Sequence, residues 1–147
     1  MRREEQVQEL KDEFQIQTVF CSKDQEMFST CMTEICAKEK PTVCLEAIGG
    51  EMVGQMLDFM GHGATCIIYG CLSGQKAGGI SCVRFLSFNQ RIEPFFLGTH
   101  MHSLTTEQNK ALIGKAIPMY GNILATKIQA KVPLNKIADA IELYQKN

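Results

Sequence analysis

The sequence predicts an α/β fold built on a parallel sheet. Short apolar runs alternate along the chain with segments whose apolar residues recur at helical spacing. One of these runs, Ala64–Tyr69, lacks the polar alternation of a strand that has one wet face. Such a strand is typical of a parallel sheet whose two faces are covered by helices. We therefore predict a right-handed, doubly wound arrangement.

The N-terminal part of the chain predicts a helix, a strand and a second helix. Residues 4–14 place apolar side chains on one side and charges on the other, which is typical of a surface helix. Thr18–Cys21 is a short β-rich run and predicts the first strand. Ser22 is the expected cap of the next helix, which ends before Pro41.

The same alternation continues through the middle of the chain. Thr42–Leu45 predicts a second strand, and the apolar stripe from Met52 to Met60 predicts the helix that follows it. Gly61-His62-Gly63 is expected to supply the left-handed residue that ends this helix. Ala64–Tyr69 is then the third predicted strand.

The C-terminal part is predicted to be mainly helical. Arg91–Leu97 is a mixed run that predicts an edge or interface strand. Thr105 and Gln108 have capping-box spacing and predict the start of a helix. Ile128, Ala130 and Val132 alternate with polar residues, as in a half-buried strand, and Pro133 precedes a last helix. No linker interrupts the sequence, so residues 1–147 are predicted to form one domain.

Composition and charge exclude several classes of protein. The 147 residues include 15 basic and 16 acidic side chains without a basic block, which argues against binding to nucleic acid. The chain has no apolar stretch of the ~20 residues that a membrane span requires. Seven cysteines without a C-x-x-C pair predict reduced thiols and a reducing compartment. The mitochondrial matrix and the cytoplasm both satisfy that condition.

Two glycine-containing loops are the strongest candidates for a binding site. Ala47-Ile48-Gly49-Gly50 and the loop from Tyr69 to Gly74 each follow a predicted parallel strand. Open α/β sheets bind ligands at the carboxyl ends of their strands, where glycine also lets a ligand approach the backbone closely. The alternative is that both loops are ordinary strand-to-helix turns.

No set of residues predicts a metal site or a catalytic group. His100 and His102 would share one face of a strand, but spacing identifies no third ligand for a metal. The cysteine pairs Cys31/Cys36 and Cys66/Cys71 are each five residues apart, which suits neither a zinc knuckle nor a redox pair. We therefore assign no catalytic residue and no metal ligand.

Three segments in consistent order resemble one known family. They are TVCLEAIGGEMVGQMLDFMGHGATCIIYGCLSGQ, RIEPFFLGTH and PLNKIADAIELYQKN. These segments are similar to the C-terminal Rossmann portion of medium-chain dehydrogenase/reductases, which are zinc-binding alcohol dehydrogenase-like proteins. The closest similarity is to the quinone-oxidoreductase and mitochondrial enoyl-reductase branch. RREEQVQELKDEF also resembles the family segment that follows its second Rossmann strand.

The resemblance implies a binding site for NADP(H), and this chain alone is expected to bind the cofactor weakly or not at all. Ala47, Ile48 and Gly49 would pass along the nicotinamide and its ribose, and Tyr69, Gly70 and Leu72 would form the next wall. The segment Phe95, Phe96 and Leu97 would close over the nicotinamide ring, although Pro94 stands where the family usually has glycine. Arg2 or Arg3 matches the position that holds the 2′-phosphate in NADP-preferring members, and the alternative is that both are solvated charges.

Parts of the family pattern are absent from the sequence. The glycine fingerprint that seats a pyrophosphate is missing, and Gly61-His62-Gly63 precedes a strand rather than a helix. The family's catalytic domain would lie upstream of Met1. The predicted fold is therefore an incomplete Rossmann-like, doubly wound parallel sheet that lacks its first two strands and carries C-terminal helices. In the strand order 3-2-1-4-5-6 those strands separate Thr18–Cys21 from Thr42–Leu45.

These observations lead to two hypotheses about function. The first is a truncated, non-catalytic relative of the reductases that serves as a structural or binding subunit of a larger assembly. Its partner, or a second copy, would bind through the strand Arg91–Leu97 and through the open sheet edge. The second is one half of an active NADPH-dependent enone or quinone oxidoreductase whose other half is encoded separately or missing from the sequence. A small-ligand module with rearranged strands is a third possibility.

Overall fold

The computed structural model describes residues 4–16, 18–125, 128 and 130–145. The chain, predicted as one domain, divides by its internal contacts into two compact units, Met1–Leu97 and Gly98–Asn147. The first unit contains all strands of the described residues, and the second contains helices. None of the described helices is both long enough and apolar enough to cross a membrane.

A three-stranded parallel sheet forms the centre of the first unit. Its strands are β1 (Val43–Glu46), β2 (Thr65–Ile68) and β3 (Arg91–Pro94), in the spatial order β1-β2-β3. Cys44 pairs with Cys66, and Cys66 pairs with Ile92. Helices connect consecutive strands, as parallel pairing requires. The predicted α/β class with an open, partial Rossmann-like sheet is confirmed.

The core lies on one face of this sheet. Val53 and Leu57 of helix α3 (Met52–Phe59) pack with Cys66 of β2 and are fully or almost fully buried. The partly buried side chains around them come from all three strands, from helix α4 (Cys82–Ser87) and from the segment that leads into it: Cys44, Ile68, Ile80, Phe85 and Ile92. We call this side of the sheet the covered face.

The other side of the sheet is the open face. Side chains alternate between the faces along a strand, so Val43 and Leu45 point away from the core to which Cys44 belongs. Val43 is 54% exposed and Leu45 is 68% exposed. Arg91 and Glu93 of β3, which pair across β2 with the rows of Val43 and Leu45, are also exposed.

Two helices precede the sheet. Helix α1 (Glu4–Phe14) forms where the amphipathic pattern predicts it. The cap of helix α2 (Gln25–Glu39) lies two residues later than predicted, because the side chain of Asp24, not of Ser22, accepts a hydrogen bond from the Met27 N–H. Phe28 of α2 packs edge-on against Phe59 of α3, with ring centroids 6.0 Å apart.

The predicted strand at Thr18–Cys21 is wrong. These residues form no strand in the structure. A strand requires a hydrogen-bonded neighbour, and the described sheet contains only the three later strands. The β-rich composition of this short run is therefore insufficient to fix its backbone, which tertiary pairing decides.

Two polar side chains complete the carboxyl-terminal end of α3. The buried Gln90 amide donates to the Leu57 and Met60 carbonyls at 2.8 and 3.2 Å, and the Arg84 guanidinium donates to the Met60 carbonyl at 2.9 Å. These donors satisfy carbonyls that a helix end leaves without partners. The helix ends at Phe59, and the predicted left-handed residue, Gly63 (φ 74), lies beyond this end.

The second unit is helical. Helix α5 (Leu97–Ser103) enters it, followed by α6 (Thr106–Ala116), two short 3-10 helices (Ile117–Met119 and Leu134–Lys136) and α7 (Ile137–Gln145). The predicted capping box is confirmed, because the Thr105 hydroxyl accepts from the Gln108 N–H while the Gln108 side chain accepts from the Thr105 N–H. No side chain of α6 is buried.

One prediction for this part of the chain is confirmed except for its end, and another is wrong. The edge strand expected over Arg91–Leu97 forms as β3 at the edge of the sheet but ends at Pro94, and α5 begins at Leu97. Ile128, Ala130 and Val132 lie in no strand, while Lys127 and Gln129 of the same pattern fall outside the described residues. Helices α4 and α5 were not predicted, because they are only six and seven residues long and show little apolar periodicity.

Candidate functional site

Three connections meet at the carboxyl edge of the sheet. The loop from Ala47 to Gly50 follows β1, the loop from Tyr69 to Gly74 follows β2, and Phe95 follows β3. The Tyr69 N–H donates to the Glu46 carbonyl and the Phe95 N–H donates to the Ile68 carbonyl, each at 2.9 Å. The parallel ladder thus continues one residue past the strands and brings the three predicted binding segments to the same edge.

The carboxylate of Glu46 holds the first loop in place. Glu46 is the last residue of β1 and is only 3% exposed. One carboxylate oxygen accepts from the Ile48 N–H at 2.7 Å, and the other accepts from the Gly49 N–H at 2.8 Å. Gly49 has φ of 74°, a left-handed conformation that glycine adopts without strain. The backbone donors of the predicted nicotinamide loop therefore already have an anionic partner.

The first two loops are bonded directly to each other. The Ala47 carbonyl accepts from the Leu72 N–H at 3.0 Å, and the Ile48 carbonyl accepts from the Ser73 N–H at 2.8 Å. Gly70 lies so close to Ala47 that an added Cβ would be 2.7 Å from the Ala47 carbonyl oxygen. The two loops consequently form one continuous, tightly packed surface.

A third segment covers the amino-terminal end of α3. The Gly54 N–H donates to the Gly78 carbonyl, and the Gly78 N–H donates to the Gly50 carbonyl, each at 3.0 Å. A Cβ on Gly54 would lie 2.0 Å from the carbonyl carbon and oxygen of Gly79. The backbone of the segment 78–79 therefore occupies the position where an anion would approach this helix end.

The predicted ring-contacting side chains differ in exposure. Ala47 and Ile48 are half-buried and Gly49 is buried, whereas Tyr69 and Leu72 of the second loop are exposed. Phe95, Phe96 and Leu97 are exposed as well. The structure therefore brings the first two loops into contact and leaves apolar side chains exposed beside them. Arg2 and Arg3, the predicted phosphate contacts, lie outside the described residues.

This arrangement favours an uncharged, flat ligand over a phosphate. Phosphate sites present free backbone N–H groups at a helix N-terminus. Here the Ile48 and Gly49 amides point at a carboxylate, and the Gly54 amide points at a carbonyl. A second anion beside Glu46 would be repelled, while an uncharged ring can pack on Ala47, Ile48 and Leu72. The residues fit the nicotinamide end of a dinucleotide and do not fit its pyrophosphate.

Burial makes the thiols of the core weakly reactive. Burial raises the pKa of the Cys44 thiol to about 12, and its neighbour Cys66 contributes to the increase. Burial also raises the pKa of Cys66 and of Cys36. Because the thiolate is the reactive form, these groups pack as small apolar side chains at neutral pH. Cys71 and Cys82 are exposed.

The two histidines of the sequence pattern do not share a face. His100 and His102 lie in helix α5 rather than in a strand, and residues two apart in a helix are separated by about 160° around the helix axis. Among the described residues, no three His, Cys, Asp or Glu side chains are grouped so that they could hold a metal ion.

Sequence reasoning did not identify Glu46 and the glycines at 54, 78 and 79 as parts of this site. The signal for Glu46 was a carboxylate at the end of an otherwise apolar strand, directly before a Gly-Gly pair. An acidic residue in that position needs donors when buried, and the adjacent loop amides are the nearest ones. The packing of Gly54 against Gly79 joins distant segments, which spacing does not reveal.

The fold is similar to that of solved oxidoreductases. A protein from Mesorhizobium loti that has been assigned as an NADPH:quinone reductase aligns over 100% of this chain, with a TM-score of 0.82 and 22% sequence identity. An enoyl thioester reductase from Candida tropicalis, in a mutant form, matches 98% with a TM-score of 0.68 and 16% identity. The mitochondrial 2-enoyl thioester reductase heterodimer from Candida tropicalis matches 82% with a TM-score of 0.60 and 14% identity.

These likenesses establish the fold of the chain. The class they define is the Rossmann-like part of reductases, so the resemblance predicted from the sequence is confirmed at the level of the fold. The chain spans 42% of the length of the Mesorhizobium protein and 42% of that of the Candida mutant enzyme. No family model and no curated protein sequence matches the chain.

Proposed function

We propose that this chain is a member of the medium-chain dehydrogenase/reductase family, from its quinone-oxidoreductase and enoyl-reductase branch. In this proposal it carries the nicotinamide side of an NADP(H) crevice and acts as a non-catalytic structural or binding subunit of a larger assembly. Residues 1–147 act as one domain of that assembly. Catalytic groups and the glycine fingerprint come from outside this sequence.

One observation carries the proposal. The loops at the carboxyl edge of the sheet are assembled, but their amides at Ile48 and Gly49 are bound to Glu46. A surface of this kind supports a nicotinamide ring and leaves the pyrophosphate of the cofactor without donors from these loops. The chain therefore supplies one end of a dinucleotide site, and another polypeptide segment has to supply the other end.

The proposed cofactor contacts follow from the arrangement of the loops. Ala47, Ile48 and Gly49 pass along the nicotinamide and its ribose, and Tyr69, Gly70 and Leu72 form the adjoining wall. Phe95, Phe96 and Leu97 close over the ring, and Arg2 or Arg3 contacts the 2′-phosphate. When bound, the cofactor supplies the hydride, while these residues bind the ring, orient it and exclude water. The proposed compartment is the mitochondrial matrix or the cytoplasm, and the name of one similar protein includes the word mitochondrial.

The alternative function is one half of a working reductase. It is supported by the hydrogen bonds that keep both binding loops assembled, and by the similar proteins whose names include NADPH. In this alternative a separate segment carrying the glycine fingerprint completes the crevice, and the assembly transfers hydride from NADPH to an enone or a quinone.

The first test is the mass and composition of the native particle that contains this chain. A stoichiometric assembly that does not oxidise NADPH with a quinone or an enoyl thioester supports the structural role. An assembly that contains a fingerprint-bearing segment and oxidises NADPH supports the alternative. A free monomer of 16.4 kDa contradicts both functions.

A pair of variants tests the proposed contact surface in that particle. Leu72 belongs to the loop from Tyr69 to Gly74 and is 82% exposed, and Leu134 of the second unit is 85% exposed. We expect Leu72→Asp to weaken NADPH binding at least about tenfold, because it places a carboxylate against the ring. Leu134→Asp is the matched control and should leave the affinity unchanged. Equal affinities for the two variants would remove Leu72 from the site.

A further inference from the structure

We infer that the cleft between helices α1 and α2 binds a soft monovalent metal ion of the Cu(I) class. Its ligands are the thiols of Cys21 and Cys31 and the thioether of Met27. The inference goes beyond the proposed function and does not depend on it, because none of these residues belongs to the loops at the carboxyl edge of the sheet.

Three sulfur-containing side chains line this cleft. It has a volume of about 170 Å³ and lies between α1, the segment 18–21 and α2. Met27 and Cys31 are separated by about one turn of α2, so their side chains lie on the same side of the helix. Cys21 reaches the cleft from the segment before the helix. The remaining lining is apolar and consists of Val7, Val19, Phe20 and Phe28.

The sulfur atoms of this cleft are more accessible than those of the core. Cys36 and Cys66 are buried, whereas Cys21 and Cys31 are half-buried. Met27 is 62% exposed. A side chain that serves only to fill the core gains stability from burial, which Met27 largely lacks. An ion from solvent can therefore reach the three sulfur atoms without unfolding the core.

Carboxylates stand at the mouth of the cleft. A more open groove beside it shares Met27 and Cys31 and is also lined by Asp24, Glu26 and Thr30. The Asp24 carboxylate accepts from the Met27 N–H at 3.0 Å, which holds this charge beside the methionine. Negative charge at the entrance of a cleft raises the local concentration of cations. The approach to the sulfur atoms therefore favours a metal ion over an anion.

The ligand set determines which ion fits. The described residues that line the cleft offer sulfur and no oxygen or imidazole side chain, so the cleft does not suit Mg²⁺ or Ca²⁺. The described residues contain no group of three His, Cys, Asp or Glu ligands such as a zinc site uses. Thiolate and thioether ligands select Cu(I). Methionine has three rotatable bonds, so its sulfur can move onto an ion that the thiols hold.

Binding exchanges protons for the metal without a redox step. Two S–H bonds break, two S–Cu bonds form and both protons pass to water, while copper remains monovalent. The thioether of Met27 adds a neutral third ligand. The apolar side chains around the cleft then limit the contact of the ion with water.

Protection from alkylation locates the site in the unaltered chain. The native particle is titrated anaerobically with Cu(I) against a Cu(I) chelator, and its thiols are then labelled with iodoacetamide. We expect the first equivalent per chain to slow the labelling of Cys21 and Cys31 at least about tenfold relative to the metal-free particle. The exposed Cys71 and Cys82 should label at an unchanged rate. Protection of other cysteines in place of Cys21 and Cys31 overturns the inference.

Substitutions test the thiols one at a time. Cys21→Ser and Cys31→Ser each replace a soft ligand by a hydroxyl and should weaken the first Cu(I) equivalent at least about a hundredfold. The double variant of Cys71→Ser and Cys82→Ser is the matched control and should keep the wild-type affinity. Wild-type affinity in either single variant overturns the inference.

A conservative change tests the thioether. Met27→Leu keeps a similar apolar volume and should weaken Cu(I) binding about tenfold. Met32→Leu is the control on the same helix, because Met32 does not line the cleft. Equal affinities for these two variants overturn the assignment of Met27 as a ligand.

X-ray absorption of the wild-type particle makes the test independent of how the variants fold. With one equivalent of Cu(I) per chain, we expect scattering from three sulfur atoms around copper and none from nitrogen or oxygen. A nitrogen or oxygen ligand, or affinity no higher than that of the chain unfolded in urea, overturns the inference. These outcomes leave the proposed function standing, since that function is tested by the composition of the particle and its oxidation of NADPH.

Discussion

The two faces of the central sheet differ in burial, although successive residues of the same strands point to one face and then to the other. On the covered face, Cys44 and Cys66 pack under Val53 and Leu57. On the open face, Val43 and Leu45 are exposed although they neighbour Cys44 in the chain. Apolar composition alone therefore does not determine burial. The position of helices α3 and α4 determines which face of the sheet is buried, and therefore which side chains of each strand contribute to stability.

Substitution at the close contact between α3 and the segment 78–79 should change the stability of the fold most. Gly54→Ala would place a Cβ 2.0 Å from the backbone of Gly79, so helix and loop must separate. We expect the free energy of unfolding to fall by about 4 kcal/mol or more in urea denaturation. Gly114→Ala is the control, because a Cβ on Gly114 in α6 meets nothing within 4 Å. That variant should be unchanged or up to about 1 kcal/mol more stable, as for glycine in a helix interior.

Truncating one leucine on each face measures the comparison directly. Leu57→Ala should lower the free energy of unfolding by about 2–5 kcal/mol, because Leu57 is 2% exposed and its removal leaves a cavity. Leu45→Ala should change it by less than about 0.5 kcal/mol when the open face is solvated. A large loss for Leu45→Ala in the native particle would instead show that a partner buries this side chain there.

Two glutamates on opposite faces provide a smaller contrast. In Glu46→Gln one acceptor becomes an NH2 donor, so one of the Ile48 and Gly49 amides loses its partner. We expect a loss of about 1–3 kcal/mol and faster exchange of these two amides. Glu93→Gln, on the open face, should affect neither quantity. Unchanged exchange in Glu46→Gln would mean that the loop keeps its conformation without the carboxylate.

The expected effect with the narrowest range of conditions is an alkaline dependence of stability, which is confined to the interval above pH 9. The pKa of Cys44 rises from its ordinary 9.0 to about 12 in the folded chain. The folded state therefore holds this proton more tightly, so the contribution to stability is complete below pH 9 and is lost as the pH rises towards about 12. Cys44→Ala should reduce the decline in the free energy of unfolding over this interval. Cys71→Ala removes an exposed thiol and should leave the decline as it is in the wild type.

The sequence predicted the parts of the fold that depend on local pattern. The helices at 4–14 and after Thr105, the strand Ala64–Tyr69 and the position of the two loops all follow from periodicity, capping and glycine placement. The strand predicted at Thr18–Cys21 does not form, because a strand requires a hydrogen-bonded neighbour. Short helices such as α4 and α5 give too few turns for a period to be visible.

The candidate site was predicted only in part, for a similar reason. Ala47, Gly49 and Gly70 could be chosen because they follow strands that end at one edge. The hydrogen bonds that decide the chemistry, from Ile48 and Gly49 to Glu46 and from Leu72 to Ala47, depend on how the loops close in three dimensions. Loops with the same glycines would also be compatible with free backbone N–H groups that bind a phosphate. Only the position of the Glu46 carboxylate distinguishes the two outcomes.

The carboxylate of Glu46 also has a kinetic consequence. A loop that must fold around its ligand loses conformational entropy at the moment of binding, which lowers affinity and slows association. The loop from Ala47 to Gly50 is already fixed by an acceptor that belongs to the same chain. A flat ring would therefore meet a preorganised surface, and its rate of arrival would depend on the access to that surface rather than on the ordering of the loop.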